Sequence, residues 1–426
     1  MRIMFSRNNS FNYSAIALVI LLLTSALACA KAPEPSAPAV VIGAPCAMGT
    51  VANDMANAAM LAAEEINTKE GGVVVDGVKR PIKIVTTDTR DWEPGIPIQD
   101  VVLAYKDLIA RHKPVALVAG PGRTEAQMAV MENIAADKII HIFGGCANLT
   151  FAKNVKLDPT KYKYLFKSSP TSVDLAMGLV KAMEYVQSKF GYNTVFFLVE
   201  DVDFAKAAEA VLAALLEQRD WQVKGSVHTP LGMTDYSSAL LRFKESGAQV
   251  GFYIYSSEAA PLAKQYKAMQ LPVMMVGVCD PLGGPDAWKA TQGAVEGMVN
   301  YICGAGNIAV PKMPKTVEFQ NNYKKKFKEL PQLTFGPSQS YDAVYLIVDA
   351  INRAGGSIDP DKLAEALLAT DYAGVLGKYK FPADLHQAPY GDDPATALIG
   401  VAFQWQDGKR MPVLPTSIAE AEIVAP

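Results

Sequence analysis

From residue 40 onward the chain alternates short apolar runs with longer amphipathic stretches, and this alternation constrains its fold more than any other feature. Apolar runs of this length are typical of buried strands, and the amphipathic stretches are typical of helices that cover a sheet. The first series predicts strands at 40–44, 82–87, 115–119 and 139–143 and helices at 54–67, 97–111 and 125–137. The second series, after Phe166, predicts helices at 172–189, 204–219, 236–245 and 260–269 and strands at 194–199, 221–228, 250–255 and 273–278. Because parallel strands need such crossovers, the sequence predicts an α/β protein with two lobes of similar architecture.

The loops after these predicted strands are the expected place for a binding site, since ligands of open α/β sheets bind at the carboxyl ends of the strands. The first series supplies three such loops, at 45–54, 120–124 and 144–150. The second series supplies three more, at 200–204, 256–260 and 279–286. A ligand held between two facing lobes would therefore contact loops from both.

One of these loops, within AGPGRTEAQ at 119–127, has the glycines of an anion-binding turn. It lacks the GxxxxGKS/T spacing of a nucleotide-hydrolase loop, and Glu125 stands where the GxGxxG dinucleotide motif has its third glycine. Two interpretations remain open. Thr124 and Gln127 have the spacing of a capping box, which would make the turn only a helix start. Alternatively, free backbone N–H groups and the Thr124 hydroxyl bind a ligand carboxylate, with Arg123 beside them.

Three residues of the second series are further candidates for the site. Glu258 follows a predicted strand, where it either favours the dipole of the next helix or pairs with a ligand ammonium group. Phe204 is either a core residue at a helix start or an apolar wall of the site. Asp280 is either a turn or capping residue or a ligand contact.

Catalytic, metal and nucleic-acid sites are not predicted. The nearest match to the GxSxG nucleophile motif, at 336–340, lacks the final glycine. The four histidines are scattered singly and no CxxC occurs, so we expect neither a metal ion nor another cofactor. The net charge is -3 with acids and bases interspersed, and the basic run at 324–328 is interpreted as a solvated helix face rather than a nucleic-acid contact. The sequence therefore predicts a protein that is not an enzyme.

The first 29 residues have the features of an export signal. Arg2 and Arg7 precede an apolar run at 15–23, and small residues lead up to Cys29. The run is shorter than the roughly 20 residues of a transmembrane helix. Two interpretations of the cleavage site remain open. It is either a lipobox, in which Cys29 becomes lipidated and anchors the protein to the membrane, or an ordinary signal-peptidase site. The Pro- and Ala-rich residues 30–39 would then be a tether.

Four cysteines follow the signal, at positions 46, 146, 279 and 303. An exported protein meets an oxidising compartment in many organisms, and four cysteines allow three pairings that spacing cannot distinguish. Cys46 and Cys146 are expected to face the same site, either as a disulfide or as two small packing residues.

Six stretches carry a resemblance that covers nearly the whole chain after the signal. They are VVIGAPCAMGTVANDMANAAMLAAEEINTKEGG at 40–72, VALVAGPGRTEA at 115–126, IIHIFGGCANLTF at 139–151, DYSSALLRFKESGAQVGFY at 235–253, QSYDAVYLIVDAINRAGG at 339–356 and VAFQWQDGKR at 401–410. In order and spacing they resemble the type I periplasmic binding proteins of ABC transporters, in particular the leucine/isoleucine/valine-binding branch. The resemblance implies two Rossmann-like lobes with parallel sheets, joined by a three-strand hinge.

The same resemblance implies how the chain is divided. The N-lobe comprises 40–167 and 302–378, the C-lobe comprises 168–301 and 379–412, and a C-terminal tail follows at 413–426. The chain is expected to cross between the lobes near 166–169, 297–301 and 378–381.

The family's binding residues fall on identifiable positions. Its carboxylate-binding serine or threonine corresponds to Thr124, and its second carboxylate contact corresponds to Cys146 and Ala147, where the hydroxyl is missing. The aromatic lid residue of the second lobe corresponds to Phe204, and the acid that holds the ligand's ammonium group corresponds to Glu258. The resemblance thus implies a site for a small carboxylate-bearing ligand.

The function that the resemblance implies is that of an extracytoplasmic solute receptor for an ABC importer. We expect a monomer that closes on an amino acid, with branched-chain amino acids among the candidates, and presents it to a membrane permease. The position of a large aromatic residue in some members is Ala52 here, so branched-chain specificity is left open. Alternatives are a sensory module that signals to a partner, or a binder of aromatic acids or amides.

Overall fold

The computed structural model describes residues 37–93, 95–256 and 259–425. The predicted export signal with Cys29, most of the predicted tether, and Glu258 lie outside these residues. Residues Ala39–Pro426 group as one unit built around two sheets. Among the described residues, no helix combines the length and the apolar character needed to cross a membrane.

The strands alternate along the chain with the helices that cover them. The strands are β1 (Val40–Cys46), β2 (Val73–Val75), β3 (Val78–Arg80), β4 (Ile82–Asp88), β5 (Ala116–Leu117), β6 (Ile140–Phe143), β7 (Leu165–Lys167), β8 (Thr194–Glu200), β9 (Gln222–Thr229), β10 (Val250–Tyr255), β11 (Met274–Cys279), β12 (Val299–Ile302), β13 (Tyr372–Ala373), β14 (Lys378–Tyr379), β15 (Tyr390–Gly391), β16 (Leu398–Ile399), β17 (Val401–Gln406) and β18 (Lys409–Leu414). The α-helices are α1 (Asn53–Glu70), α2 (Ile98–His112), α3 (Thr124–Ile134), α4 (Thr150–Leu157), α5 (Ser172–Phe190), α6 (Asp203–Glu217), α7 (Ser237–Glu245), α8 (Ala260–Ala268), α9 (Asp280–Gly283), α10 (Ala287–Thr291), α11 (Pro314–Phe327), α12 (Pro337–Arg353) and α13 (Pro360–Leu368).

The first sheet has the order β4–β1–β5–β6–β7, with parallel neighbours throughout. Its side chains alternate between two cores, as strand geometry requires. Ala116 and Val118 pack into the core formed with α1 and α12, whereas Leu117 packs into the core formed with α2 and α3. Because helices cover both faces, the inner strands β5 and β6 are buried along their whole length, whereas the edge strand β4 includes polar, exposed residues.

The second sheet has the order β18–β17–β12–β11–β10–β8–β9. The five strands from β12 to β9 are parallel, and β17 and β18 are antiparallel additions at one edge. Phe196 and Leu198 face one core, and Val195 and Phe197 face the other. The parallel α/β fold with two sheets, predicted from the alternation in the sequence, is confirmed.

The chain passes between the two sheets at three places. It leaves the first sheet at the end of β7 and enters α5, which packs on the second sheet. It returns after β12, since Phe319 and Tyr323 of α11 lie in the first core. The third passage follows Leu398, which is still in the first core, and ends at β17 of the second sheet.

This third passage lies later in the chain than the predicted crossing at 378–381. Tyr379 and Phe381 are buried in the first core, where the Phe381 ring meets the ring of Phe166 edge-on at 5.1 Å between centroids. These contacts hold the segment after 378 against the first sheet. The predicted tail after 412 is also part of the fold, because Ile418 and Ile423 are buried in the cores of the second sheet.

Candidate functional site

The glycine loop at 119–124 follows β5 and already binds an anion, the carboxylate of Asp91. The backbone N–H of Gly122 donates to Asp91 Oδ2 at 2.9 Å, and the N–H of Arg123 lies 3.4 Å from the same oxygen. The hydroxyl of Thr89 donates to Asp91 Oδ1 at 2.5 Å, and Asp91 is buried. The prediction that the N–H groups of this turn are free is therefore wrong for Gly122 and Arg123.

Arg123, a predicted ligand contact, is directed toward its own helix. Its guanidinium forms an ion pair with Glu125 at 2.5 Å and also donates to the carbonyl of Asp91 at 3.4 Å. Both partners of the pair are partly exposed, so the pair contributes at most about 1 kcal/mol to stability. These contacts account for the arginine without a ligand.

Thr124 begins α3 but does not cap it. No side chain caps this helix, and the backbone N–H of Gln127 donates to the carbonyl of Arg123. The capping-box interpretation is therefore wrong. The Thr124 hydroxyl lies 3.1 Å from Cys146 Sγ instead, which joins the loop after β5 to the loop after β6.

Gln127 and Asn148 strengthen the link between the same two loops. The Gln127 amide donates to the carbonyl of Gly145 at 3.4 Å and accepts from the side chain of Asn148. The Asn148 side chain also accepts from the N–H of Phe151, at the start of α4. Both amide side chains are buried, and their paired hydrogen bonds fix the separation of the two loops.

Cys146 and Ala147, the two predicted contacts on the loop after β6, lie at the junction of the two sheets. Cys146 has a φ of 61°, a left-handed conformation that is uncommon for residues other than glycine. Burial raises the pKa of its thiol, so the neutral form faces Thr124. Ala147 is half-buried and packs against the core of the second sheet. The structure thus brings Thr124, Cys146 and Ala147 together beside the second lobe.

The predicted residues of the second lobe are not gathered at this place. Phe204 is the second residue of α6, and its side chain is 47% exposed. Asp280 is half-buried at the start of α9, where it accepts a hydrogen bond from the hydroxyl of Thr334. Burial raises the pKa of Asp280 to about 7. Glu258 lies outside the described residues.

Two aromatic residues that were not singled out from the sequence form a wall at Gly122, two residues before Thr124. The indole of Trp92 covers Gly122 so closely that a Cβ added there would lie 1.8 Å from Trp92 Nε1. The ring of Phe335 lies 6.1 Å from the Trp92 ring and packs against cores of both sheets. The signals available were a tryptophan shortly after a strand and a phenylalanine just before a helix, and neither points to a site without knowledge of the tertiary contacts.

Glu200 is a further acid at the carboxyl edge of the second sheet. It ends β8, is buried, and accepts hydrogen bonds from the backbone N–H of Ser256 at 2.9 Å and from its hydroxyl at 2.5 Å. Ser256 directly precedes the segment that contains Glu258. The buried carboxylate therefore fixes the end of β10, from which that segment leaves.

Lys167 connects the candidate site to the first passage between the sheets. Its fully buried ammonium group donates to the carbonyls of Pro170 at 2.6 Å, Ser169 at 3.0 Å and Asn148 at 3.5 Å. Burial lowers the pKa of Lys167 to about 8. The hydroxyl of Ser169 returns to the loop after β6, where it donates to the carbonyls of Gly145 at 2.7 Å and Cys146 at 3.0 Å.

The four cysteines outside the predicted signal are free and buried. Burial raises the pKa of Cys46 to about 12 and also raises that of Cys303, so neither is a ready thiolate nucleophile. Cys46 packs in the core of the first sheet, whereas the Cys146 thiol contacts the side chains of Thr124 and Asn148, and neither forms a disulfide within the described residues. Within the described ranges, no three His, Cys, Asp or Glu side chains are grouped as metal ligands.

Comparisons with known proteins agree with this architecture. A family model described as "Periplasmic binding protein" matches residues 44–391. Leu/Ile/Val-binding protein homolog 7 from Brucella abortus (strain 2308) is 26% identical over 280 residues, which is 62% of this chain and 66% of that protein. The match thus spans slightly less than two thirds of the curated relative's length.

Two solved structures share the fold at low sequence identity. The branched-chain amino acid transporter substrate binding protein LivJ from Streptococcus pneumoniae, in complex with isoleucine, has a TM-score of 0.66 and 20% identity, covering 91% of this chain and 100% of that one. A solute binding protein of an ABC transporter from R. palustris, in complex with benzoate, has a TM-score of 0.66 and 16% identity, covering 91% and 98%. These are binding proteins rather than enzymes, in agreement with the prediction from the sequence. Because the family model matches most of its length, the chain belongs to the periplasmic binding protein family, with the type I fold.

Proposed function

We propose that this protein is the extracytoplasmic receptor of an ABC importer and that it binds a small carboxylate-bearing solute between its two lobes. The observation that carries the proposal is the meeting of two loops from the first sheet, with Thr124 on one and Cys146 and Ala147 on the other, directly against the core of the second sheet. A solute at this junction would contact both lobes. Its binding would favour the closed form to the extent that closed contacts exceed open ones.

Three backbone donors support a carboxylate as the ligand group. The backbone N–H groups of Thr124, Cys146 and Ala147 donate no hydrogen bond to any acceptor within the described part of the chain. Thr124 also begins α3, so its N–H lies at the positive end of a helix dipole. A carboxylate held by these donors and by the Thr124 hydroxyl has the charge-assisted hydrogen bonds that bind anions in proteins.

Two classes of ligand differ in the part of the molecule beyond the carboxylate. The first candidate is an α-amino acid, including the branched-chain ones, whose ammonium group needs an acid, and Glu258 is the residue assigned to it. The second candidate is an aromatic carboxylate, which the wall of Trp92 and Phe335 at Gly122 favours. An R. palustris relative in fold binds benzoate, and the Streptococcus pneumoniae relative binds isoleucine.

Export, anchoring and partners complete the proposal. Residues 1–29 act as a signal, Cys29 carries a lipid anchor, and residues 30–39 are a tether that lets a monomer reach its permease. The three passages between the sheets form the hinge. A diacylglyceryl mass increment on the N-terminal peptide, absent in Cys29→Ser, tests the anchor, and an unmodified N-terminus would contradict it. A sensory role would instead require a signalling partner that binds the loaded form.

Titration calorimetry with leucine, isoleucine, valine, benzoate and 4-hydroxybenzoate tests the site. Thr124→Ala should weaken binding of every ligand in the set that binds, by roughly 10-fold or more, because each carboxylate loses a charge-assisted hydrogen bond. Glu258→Gln should weaken binding of the amino acids only, by about 2 to 5 kcal/mol, since it removes the partner of the ammonium group.

Matched controls separate this site from general effects on the fold. Thr68→Ala and Glu70→Gln change exposed residues of α1 and should leave all affinities unchanged. If Thr124→Ala binds every ligand with the affinity of the wild type, the proposed site is wrong. A loss of benzoate binding in Glu258→Gln would contradict the assigned role of Glu258 alone.

A further inference from the structure

A groove of about 450 Å³ lies beside α5 and contains none of the residues assigned to the proposed ligand site. One side is the face of α5 that carries Asp174, Gly178 and Lys181, and the opposite side is formed by Tyr390 and Asp392. The groove therefore lies between the helix that follows the first passage and the segment that precedes the third. Its volume is in the range of sites for small molecules.

Tyr301 of β12 is the polar group at the base of this groove. Its side chain is 9% exposed, and its hydroxyl has no hydrogen-bond partner among the described residues. The ring fits between Gly178 and Gly400, where added Cβ atoms would lie 2.4 Å and 1.9 Å from the hydroxyl oxygen. Any side chain at either glycine would displace the ring. The ring is thus held in place by its surroundings, while the hydroxyl lies at the wall of the groove, where a ligand can reach it.

Asp174 and Asp392 line the same groove as this hydroxyl. Asp174 uses one oxygen, Oδ2, to accept from the N–H and hydroxyl of Thr171, while Oδ1 accepts from no donor within the described ranges. Asp392 forms an ion pair with Lys181 at 2.5 Å, and the two side chains are 58% and 42% exposed, so the pair is at the rim. Burial raises the pKa of Tyr301, with smaller contributions from Cys303, Asp174 and Asp392, so its hydroxyl stays protonated.

The balance of charge in the groove favours a cation. Its lining contains Asp174, Glu184 and Asp392 against the single cation Lys181, and Glu184 is paired with Arg219 at 2.6 Å. The carboxylate of Asp174 therefore has no ion-pair partner within the described residues, and its Oδ1 accepts no hydrogen bond from them. A primary ammonium group has three donors and could satisfy Asp174 Oδ1 and the Tyr301 oxygen together.

We propose that this groove is a second binding site and that it takes a small organic cation with a primary ammonium group. The ammonium donates to Asp174 Oδ1 and to the hydroxyl oxygen of Tyr301, and the alkyl part lies along the apolar lining of α5 and the strand edge. The bound cation joins α5 to the segment around Tyr390, and so connects two of the passages between the sheets. This site does not depend on the carboxylate site between the lobes.

Calorimetry and NMR titration with n-butylammonium test the proposal, with butyrate as the probe of opposite charge and tetramethylammonium as a cation without N–H donors. We expect saturable one-to-one binding of butylammonium, at least 10-fold weaker binding of tetramethylammonium and none of butyrate. Tyr301→Phe and Asp174→Asn should each weaken butylammonium binding by about 5-fold or more. Asp174→Asn keeps an oxygen acceptor for Thr171, so the start of α5 should remain intact.

Two further variants make the result decisive. Asp203→Asn changes a fully exposed acid in the first turn of another helix, α6, and should leave butylammonium affinity unchanged. Thr124→Ala should also leave it unchanged, so failure of the carboxylate site and failure of the groove are distinguishable. Absence of saturable butylammonium binding, binding that is unaffected by both groove variants, or equal binding of butyrate would overturn the proposal.

Discussion

Asp91 determines which donors of the glycine loop are available to a ligand. Its carboxylate accepts from the Gly122 N–H and from the Thr89 hydroxyl, so the loop is closed by an internal anion. The next backbone donor along the chain is the N–H of Thr124, at the start of α3. A ligand carboxylate is therefore expected at the helix start, beside Cys146, rather than over the glycines themselves.

Gly122 makes a testable contribution to this arrangement. In Gly122→Ala the new methyl group would overlap the Trp92 indole, since the added Cβ lies 1.8 Å from Nε1. We expect the ring to be displaced, with a loss of roughly 1 to 3 kcal/mol in the free energy of unfolding and weaker binding of aromatic carboxylates. Urea titration and tryptophan fluorescence measure these effects. Gly49→Ala is the matched control, because its added Cβ meets the nearest atom at 3.4 Å. Similar losses in both variants would refute a specific role for Gly122.

At the scale of elements, the loop after β6 and the passage after β7 form one hydrogen-bonded unit. The hydroxyl of Ser169 bonds to the carbonyls of Gly145 and Cys146, and the ammonium of Lys167 bonds to the carbonyl of Asn148 as well as to the passage itself. A displacement of the ligand loop would therefore be transmitted to the start of the second lobe. This coupling requires no contact between the ligand and the hinge.

Ser169→Ala tests the strength of this unit. The substitution removes the hydroxyl donor from two buried carbonyls; that of Gly145 keeps the Gln127 amide, whereas that of Cys146 loses its side-chain donor, which should lower the free energy of unfolding by about 1 to 3 kcal/mol. Chemical denaturation measures the change. Ser238→Ala, at an exposed position of α7, should change stability by less than about 0.5 kcal/mol. If the two variants have equal stability, the hydroxyl of Ser169 does not hold the loop to the passage.

Helices and strands were predicted more successfully than the contacts between loops. The helix predicted at 172–189 is Ser172–Phe190, and the strand predicted at 250–255 is Val250–Tyr255, because hydrophobic periodicity is a local property. The partners of Thr124 and Arg123 could not be predicted in this way. Asp91 and Cys146 reach them from loops about 20 to 30 residues distant, and the T-x-x-Q spacing that suggested a cap carries no information about such partners.

At the scale of the whole molecule, Asp280 and Thr334 connect the two halves. Asp280 follows β11 of the second sheet, and Thr334 adjoins Leu333, which lies in the core of the first. The hydrogen bond from the Thr334 hydroxyl to the Asp280 carboxyl group therefore spans both lobes. Burial raises the pKa of this carboxyl group to about 7, whereas its ordinary value is 3.8. The contact is thus expected to depend on pH near neutrality.

The direction of this dependence follows from the raised pKa. Because the folded protein holds the proton on Asp280 more tightly than the unfolded chain does, the resulting stability is fully present below about pH 3.8 and is lost as the pH rises through about 7. Asp280→Asn keeps an oxygen acceptor for Thr334 but removes the titration. The free energy of unfolding of the variant minus that of the wild type should therefore increase from about pH 4 to pH 8, by at most about 4 kcal/mol. Urea denaturation across this range measures the difference. The exposed acid Asp384 is the control, and Asp384→Asn should track the wild type at every pH. A difference between Asp280→Asn and the wild type that is constant across the range would mean that Asp280 does not titrate in the folded protein as its burial requires.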